Sequence, residues 1–357
     1  MRVREDRWEQ GSHFHHVSGF QGGNIPPWRE ARFYYSGRPA INDLLASLSP
    51  GRDRQVWIPS HYCGDVVNPI IWAGHPQRYY DGNVLTGFDI PLSKIRANDI
   101  FISNCYFGVD VLPAEDIQRV RERGAVIVED HSQDPYAQLS FSSTADYAVA
   151  SLRKSLPLPD GGVLWSPVGL PLPQTELLTP PVFPPRLGGM LAKRLYLQGE
   201  FDEKDVFREW FGASERDFTE AGLWGMSAYS LSTLQHFDIT GWRQRRAENH
   251  RVLSEAIVRR DIAVMHRGRS DESPMGLVML LPTHQAREAL RAHLIAHRIY
   301  PVVYWPHIPE VPSELAGQAW DFVDRMLFLH MDARYAEDDM LRIAEVIAAA
   351  PVAQEYQ

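Results

Sequence analysis

The sequence predicts an α/β fold with a largely parallel sheet, followed by a smaller α+β unit at the C-terminal end. Three observations carry this reading. Short β-branched or aromatic runs recur at 55–59, 77–80, 99–103, 125–130, 146–150 and 162–165, and a charged helical pattern near 114–123 sits between two of them. Residues 168–186 are crowded with prolines, which exclude regular helix, and a helical region follows with a connecting helix near 227–258. Beyond it come a strand near 276–281, a helix near 283–297, and strands near 299–304 and 325–330. The last element is a helix near 335–349, opened by the acidic turn Glu337-Asp338-Asp339.

At 357 residues the chain accommodates one large and one smaller domain. The expected division is an arm at 1–33, a large domain at 34–245 and a small domain at 246–357. A net charge of −9 argues against a nucleic-acid partner. The charged N-terminal stretch lacks an apolar run, and no segment reaches membrane-spanning length, so the expectation is a cytoplasmic protein without a membrane partner. Two cysteines, Cys63 and Cys105, fit a reducing compartment. His13, His15 and His16 have no downstream Cys or carboxylate spacing to complete a metal site, so no metal is expected. The arginines at 243, 245 and 246 are most simply a solvated face, and Arg334 has no spacing argument for a carboxylate-binding role.

Chemistry concentrates in three places. In Ala125-Val-Ile-Val-Glu-Asp130, strand alternation puts Val126, Val128 and Asp130 on one face and Glu129 on the other. Asp130 then stands at the carboxyl end of a buried strand, where open α/β sheets bind ligands. A carboxylate there needs a partner, either a cationic ligand nitrogen or a helix cap. Lys154 lies four residues beyond the strand ending at Ala150 and reaches the same crevice; it is one of only four lysines. Such a lysine is an imine former, though Asp160-Gly-Gly162 also permits a plain hairpin with a surface lysine. Ser151 can direct a hydroxyl at a phosphate. Finally, Tyr35-Ser-Gly-Arg-Pro-Ala enters an amphipathic helix whose free N–H groups, with Gly37 and Arg38, suit a phosphate or an ordinary cap.

These motifs, in this order, resemble the DegT/DnrJ/EryC1 sugar aminotransferases of the fold-type I PLP-dependent enzymes, from about Tyr35 to the chain end. Gly37 to Ala40 is similar to the family's phosphate loop, Trp57-Ile-Pro-Ser60 to its strand and turn, and Val128-Glu-Asp-His-Ser-Gln133 to its Glu-Asp-Ala-Ala-Gln. Lys154 with Gly161-Gly162 has the family's spacing, and the segment from Leu329 is similar to its closing motif. The resemblance implies a large domain built on a mainly parallel seven-stranded sheet. It implies pyridoxal 5'-phosphate held by a Lys154 Schiff base, with Asp130 on the pyridine nitrogen and Gln133 near the ring hydroxyl. It implies a homodimer with the site at the subunit interface, an amino-acid donor, and a keto acceptor that is a nucleotide sugar or small biosynthetic metabolite. Ser151 and Ser227 are expected at the phosphate and Tyr62 beside the ring. Tyr106, Tyr304, Trp305 and His307 are candidates for substrate contact.

The chain also departs from the family. Leu223-Trp-Gly-Met-Ser227 lacks the Asn and Arg that reach the neighbouring subunit's phosphate, and Arg38 stands where the family has Thr. These departures keep two alternatives in view: PLP-dependent lyase, decarboxylase or other α/β-carbon chemistry, and a non-catalytic α/β binding protein.

Overall fold

A computed structural model describes residues 3–11, 13–18, 22, 28, 30–85, 87–109, 111–220, 222–266, 273–305 and 310–351. The large sheet is assembled from β1 (Ala31–Tyr34), β2 (Val56–Pro59), β3 (Gln77–Asn83), β4 (Gly87–Asp89), β5 (Ile100–Asn104), β6 (Val126–Asp130), β7 (Tyr147–Ala150) and β8 (Gly162–Trp165). Between them run α1 (Gly37–Leu48), α2 (Gly64–Trp72), α3 (Ala114–Glu122), and the short turns α4 (Gln138–Phe141) and α5 (Leu152–Ser155).

The strand order is β1-β8-β7-β6-β5-β2-β3-β4. The stretch β7-β6-β5-β2-β3 is parallel, whereas β8, β1 and β4 join antiparallel. The sheet therefore has eight strands rather than the seven expected. The two strands outside the six runs read from the sequence, β1 and β4, are edge strands of four and three residues, too short to show a clear period of their own.

Alternation explains the two cores. Ile100 and Ile102 face α1 and α2 along with Val128, Val149 and Leu164, while Phe101 and Ile127 face α3. Near-continuous burial of these strands is what a sheet covered on both faces requires.

After the proline-rich stretch come α6 (Pro185–Gln198), α7 (Lys204–Glu220), α8 (Ala228–His236) and α9 (Ile239–Ala256). The single connecting helix expected near 227–258 is thus two, broken at Phe237-Asp238, where the Asp238 side chain caps α9 by accepting from the Gly241 N–H. Helix α9 crosses the expected boundary at 245/246. Its first turns pack Ile239 and Trp242 on the large unit, and Val252 and Leu253 join the core of the small one.

The small unit holds β9 (Ala263–Val264), β10 (Gly276–Leu280), α10 (His284–Ala296), α11 (Ser313–Arg325), β11 (Met326–His330) and α12 (Glu337–Ala349), with sheet order β11-β10-β9. The strand expected at 299–304 is reduced to isolated bridges at Ile299 and Val302. Pro301 between them has no N–H to extend a ladder.

Two arginine readings are corrected. Arg246 is buried, donating to Asp134 at 2.5 Å and to Ser273, and Arg243 reaches the same carboxylate at 3.0 Å. These bonds tie α9 to the loop behind β6. Arg246→Ala leaves Asp134 buried with only Arg243 as a cationic partner. We expect a loss of about 3 kcal/mol in urea unfolding, the lower end for a broken buried pair. Arg334 is spent on Asp332 and on the carbonyls of Gly11 and His13, so it pins the N-terminal arm rather than meeting a substrate. Of the arm's histidines, His13 stacks on Phe211 at 4.4 Å and His16 meets the Tyr229 hydroxyl.

Acid lability follows from histidines held neutral by burial. His61, His250 and His330 are pushed down to about 4, and His15 to about 3. The unfolded chain takes up these protons first, so the stability is present above the ordinary histidine value and drains as pH falls from there toward 4. Each group contributes at most about 1.4 kcal/mol per pH unit. The urea midpoint is expected to be clearly lower at pH 5 than at pH 7.5.

Candidate active site

The carboxyl ends of β6 and β7 open into a cleft roofed by the start of α1 and the turn α5. Its lining includes Ser36, Gly37, Arg38, Cys63, Asp130, Ser132, Ser151, Arg153 and Lys154. Lys154 lies in the connection between the antiparallel strands β7 and β8. The hairpin reading and the site reading of that lysine are therefore compatible. The connection is folded back onto α1: the Gly161 N–H donates to the Tyr35 carbonyl at 2.8 Å, and the Leu152 N–H donates to Gly161 at 3.0 Å.

Asp130 occupies the floor. One carboxylate oxygen accepts from the Ser132 N–H at 2.8 Å and the other from the Tyr62 hydroxyl at 2.6 Å. Both oxygens are fixed while the residue still lines the cleft. Tyr62 is buried, and burial together with the Asp130 charge holds its hydroxyl well above the ordinary tyrosine range, so it stays a donor. Ser132 also accepts from the Ser151 N–H at 2.9 Å, which couples the ends of β6 and β7. On the opposite face of β6, Glu129 accepts from Ser143 at 2.6 Å and pairs with His131, as strand alternation requires.

The roof is shaped for an anion. Gly37 approaches Ser151 so closely that a Cβ on it would sit 3.3 Å from the Ser151 Cβ. Ser36 is the N-cap of α1, yet its hydroxyl makes no cap bond, and its buried Oγ has no hydrogen-bond partner among the described residues. The reason is local: Pro39 stands third in the helix, and a proline has no N–H for the capping serine to accept. Arg153 contributes a second orphan, its buried Nε. A cleft with a fixed carboxylate at the floor, a lysine on the wall, and unpaired donors at a helix start fits pyridoxal phosphate. Asp130 would hold the ring nitrogen, Lys154 the aldehyde carbon, and the α1 end the phosphate.

Gly162 sets the closeness of this roof. A Cβ there would fall 2.1 Å from the Ser36 carbonyl oxygen, a backbone atom that cannot yield. Gly162→Ala is expected to cost several kcal/mol and to abolish soluble expression or lower the melting temperature sharply.

Several expected residues stand elsewhere. Ser227 caps α8 and donates to Asp160 at 2.6 Å, so its hydroxyl serves the turn after Lys154 rather than the anion end. Gln133 accepts the Phe107 N–H, which leaves its carbonyl oxygen engaged beside the floor. Tyr106 is fully buried, donating to the carbonyls of His61 and Gly82. Tyr304 and Trp305 pack on Phe328, and on His61 and Tyr62, without lining the cleft; His307 lies outside the described residues. Cys63 lines the cleft, while Tyr62 beside it bonds Asp130. Ser36, Ser132 and Arg153 were missed, although each adjoins a residue singled out in the sequence: Gly37, Gln133 and Lys154.

No known family pattern matches the sequence, and no curated protein does. Solved structures do match. A putative sugar aminotransferase, Spr1654 from Streptococcus pneumoniae in its PLP form, aligns over 92% of both chains at 14% identity and a TM-score of 0.62. PseC of Helicobacter pylori, an aminotransferase involved in the biosynthesis of pseudoaminic acid, aligns over 96% of this chain and 98% of its own at 12% identity and a TM-score of 0.62. The sugar aminotransferase CalS13 from Micromonospora echinospora aligns over 89% and 86% at 19% identity and a TM-score of 0.58. The chain has the fold of these aminotransferases.

Proposed function

We propose that this protein, with the fold of PLP-dependent sugar aminotransferases as its frame, is a divergent DegT/DnrJ/EryC1-like enzyme. On this reading it moves an amino group from an amino-acid donor to a keto acceptor, a nucleotide sugar or small biosynthetic metabolite. The observation that carries the reading is the convergence of Lys154, Asp130 and the unpaired donors of the α1 end on one cleft. Nothing in a surface hairpin lysine demands such company.

Bound pyridoxal phosphate would supply an electron sink for the substrate carbon next to the amino group. The chain's own groups do the rest. The Lys154 amine would hold the cofactor through its aldehyde carbon and would move a proton at the substrate carbon next to the amino group. Asp130, braced by Tyr62 and Ser132, would set its carboxylate against the pyridine nitrogen and favour the protonated, positively charged ring. Tyr62→Phe removes one brace while leaving the carboxylate in place. We expect a tenfold or smaller loss of kcat, together with a shift in the pH dependence of the cofactor's absorbance.

A homodimer in the cytoplasm is the setting this reading expects, and sedimentation reports the first of these. Among the described residues no helix is long and apolar enough to cross a membrane. The reading is tested by adding a panel of amino acids to the loaded protein and following conversion of the cofactor to pyridoxamine phosphate. Conversion with at least one common donor is the expected result. Failure with every donor would remove transamination and leave lyase or decarboxylase chemistry.

A further inference from the structure

The anion end of the cleft gathers charges of both signs, and Asp160 also acts on Arg153. Arg38, Arg153 and Arg186 crowd together, while Asp65 and Glu215 supply two negative charges, and the Asp65 side chain is 69% exposed. Arg38 and Arg153 line the cleft, and the more deeply buried Arg186 stands behind them. The Arg153 side chain is nine-tenths buried, and its guanidinium lies 3.8 Å from the centre of the Phe218 ring and 3.6 Å from Glu215. Arg186 holds Glu215 from the other side at 2.9 Å. Helix α7, which carries both Glu215 and Phe218, therefore fixes the Arg153 plane without satisfying its Nε–H.

Burial and the neighbouring arginines pull the Arg153 guanidinium down to about 10, still protonated at neutral pH but short of a full anionic partner. The second orphan in the same cleft is Ser36 Oγ, 2% exposed as a residue and excluded from capping by Pro39. Two buried groups without hydrogen-bond partners among the described residues, one at the start of the twelve-residue helix α1 and one on the adjoining turn α5, would be costly unless a ligand completes them.

We propose that Arg153 and Ser36, with the first-turn N–H groups of α1, form a cradle for a phosphate-monoester dianion. Within this chain the Ser227 hydroxyl is turned onto Asp160 and does not join the cradle. Under the function proposed above, on which this assignment of the ligand rests, the dianion is the cofactor's phosphate. Lys154 and Arg153 are adjacent in sequence, so one four-residue turn presents the covalent anchor and the ionic anchor together. Ser227, turned onto Asp160, is then free to stiffen that turn instead of meeting the ligand.

The test compares ligands that differ only in the phosphate. Pyridoxal phosphate and pyridoxal are titrated into apo wild type, Arg153→Ala, Arg153→Lys and Ser36→Ala, following quenching of tryptophan fluorescence. A thermal melt of each apo variant reports folding. Arg153→Ala is expected to weaken pyridoxal phosphate by about 10- to 100-fold and pyridoxal by less than about 2-fold. Arg153→Lys should recover part of the loss, and Ser36→Ala should show a smaller version of it. Equal weakening of both ligands, or no change for either, overturns the cradle.

Calorimetric titration of inorganic phosphate into the apo protein stands apart from the functional reading. Binding by wild type and not by Arg153→Ala supports the cradle even if no cofactor attaches to Lys154, in which case the ligand assignment alone fails. Absence of phosphate binding by wild type, combined with equal affinity for the two pyridoxal forms, rejects the cradle whatever the enzyme's reaction.

Discussion

Lys154→Ala is expected to lower the transamination rate by at least about 10⁴-fold. Two functions are lost at once: the covalent hold on the cofactor and the proton carrier at the reacting carbon. Proton transfer by a positioned side chain alone is worth about 10² to 10⁴ in rate, and each factor of ten is about 1.4 kcal/mol of barrier. Stability should change little, because the Lys154 side chain is only half-buried and makes no ion pair described for the fold. A single-turnover assay with a preloaded pyridoxal phosphate variant separates the two losses. Added small amines should restore part of the rate if proton carriage is the missing function. A variant with more than about a tenth of wild-type kcat would contradict the assignment.

The second large effect is expected at Asp130. Asp130→Asn keeps the shape, but its one carbonyl oxygen can accept only one of the two bonds, from the Ser132 N–H, while its amide N–H then donates to the Tyr62 hydroxyl; the negative charge proposed to face the pyridine nitrogen is removed. Loss of one preorganised electrostatic contact at a reacting centre costs about 10² to 10³ in kcat. The cofactor should still attach to Lys154, so the variant should be coloured, with kcat falling far more than affinity. Equal loss of cofactor binding and kcat would instead mark Asp130 as a structural residue. Comparison with Tyr62→Phe is informative, since the tyrosine acts only through the carboxylate and its effect should vanish in the Asp130→Asn background.

Much of the architecture was legible because its physics is local. Val126, Ile127 and Val128 alternate between two covered faces, and that places Asp130 at the carboxyl end of β6 on the face of Val128. The seven residues between Lys154 and Gly162 mark a connection that returns to the sheet. Other features depend on contacts remote in sequence. Arg246 reads as solvent-facing in a run of arginines, and only the approach of the loop carrying Asp134 buries it. Ser227 offers the same hydroxyl to a phosphate or to Asp160, and the choice is made by the fold of the turn between them. Edge strands as short as β4 lack the length to show a period. Arg153 was hidden for another reason: beside a lysine of evident interest, an arginine reads as surface charge until Phe218 and Glu215 are seen to hold it inside.

The most direct test of the central claim is borohydride reduction of the loaded protein followed by peptide mapping. Four lysines compete, and Lys193 is a fair rival, since burial brings its amine down to about 8. Lys193, however, is held by Glu9 at 2.8 Å and by the His13 carbonyl at 2.9 Å, away from the cleft. The account predicts a reduced pyridoxyl group on the peptide carrying Lys154 and on no other. Labelling of Lys193, or of no lysine at all, would contradict it.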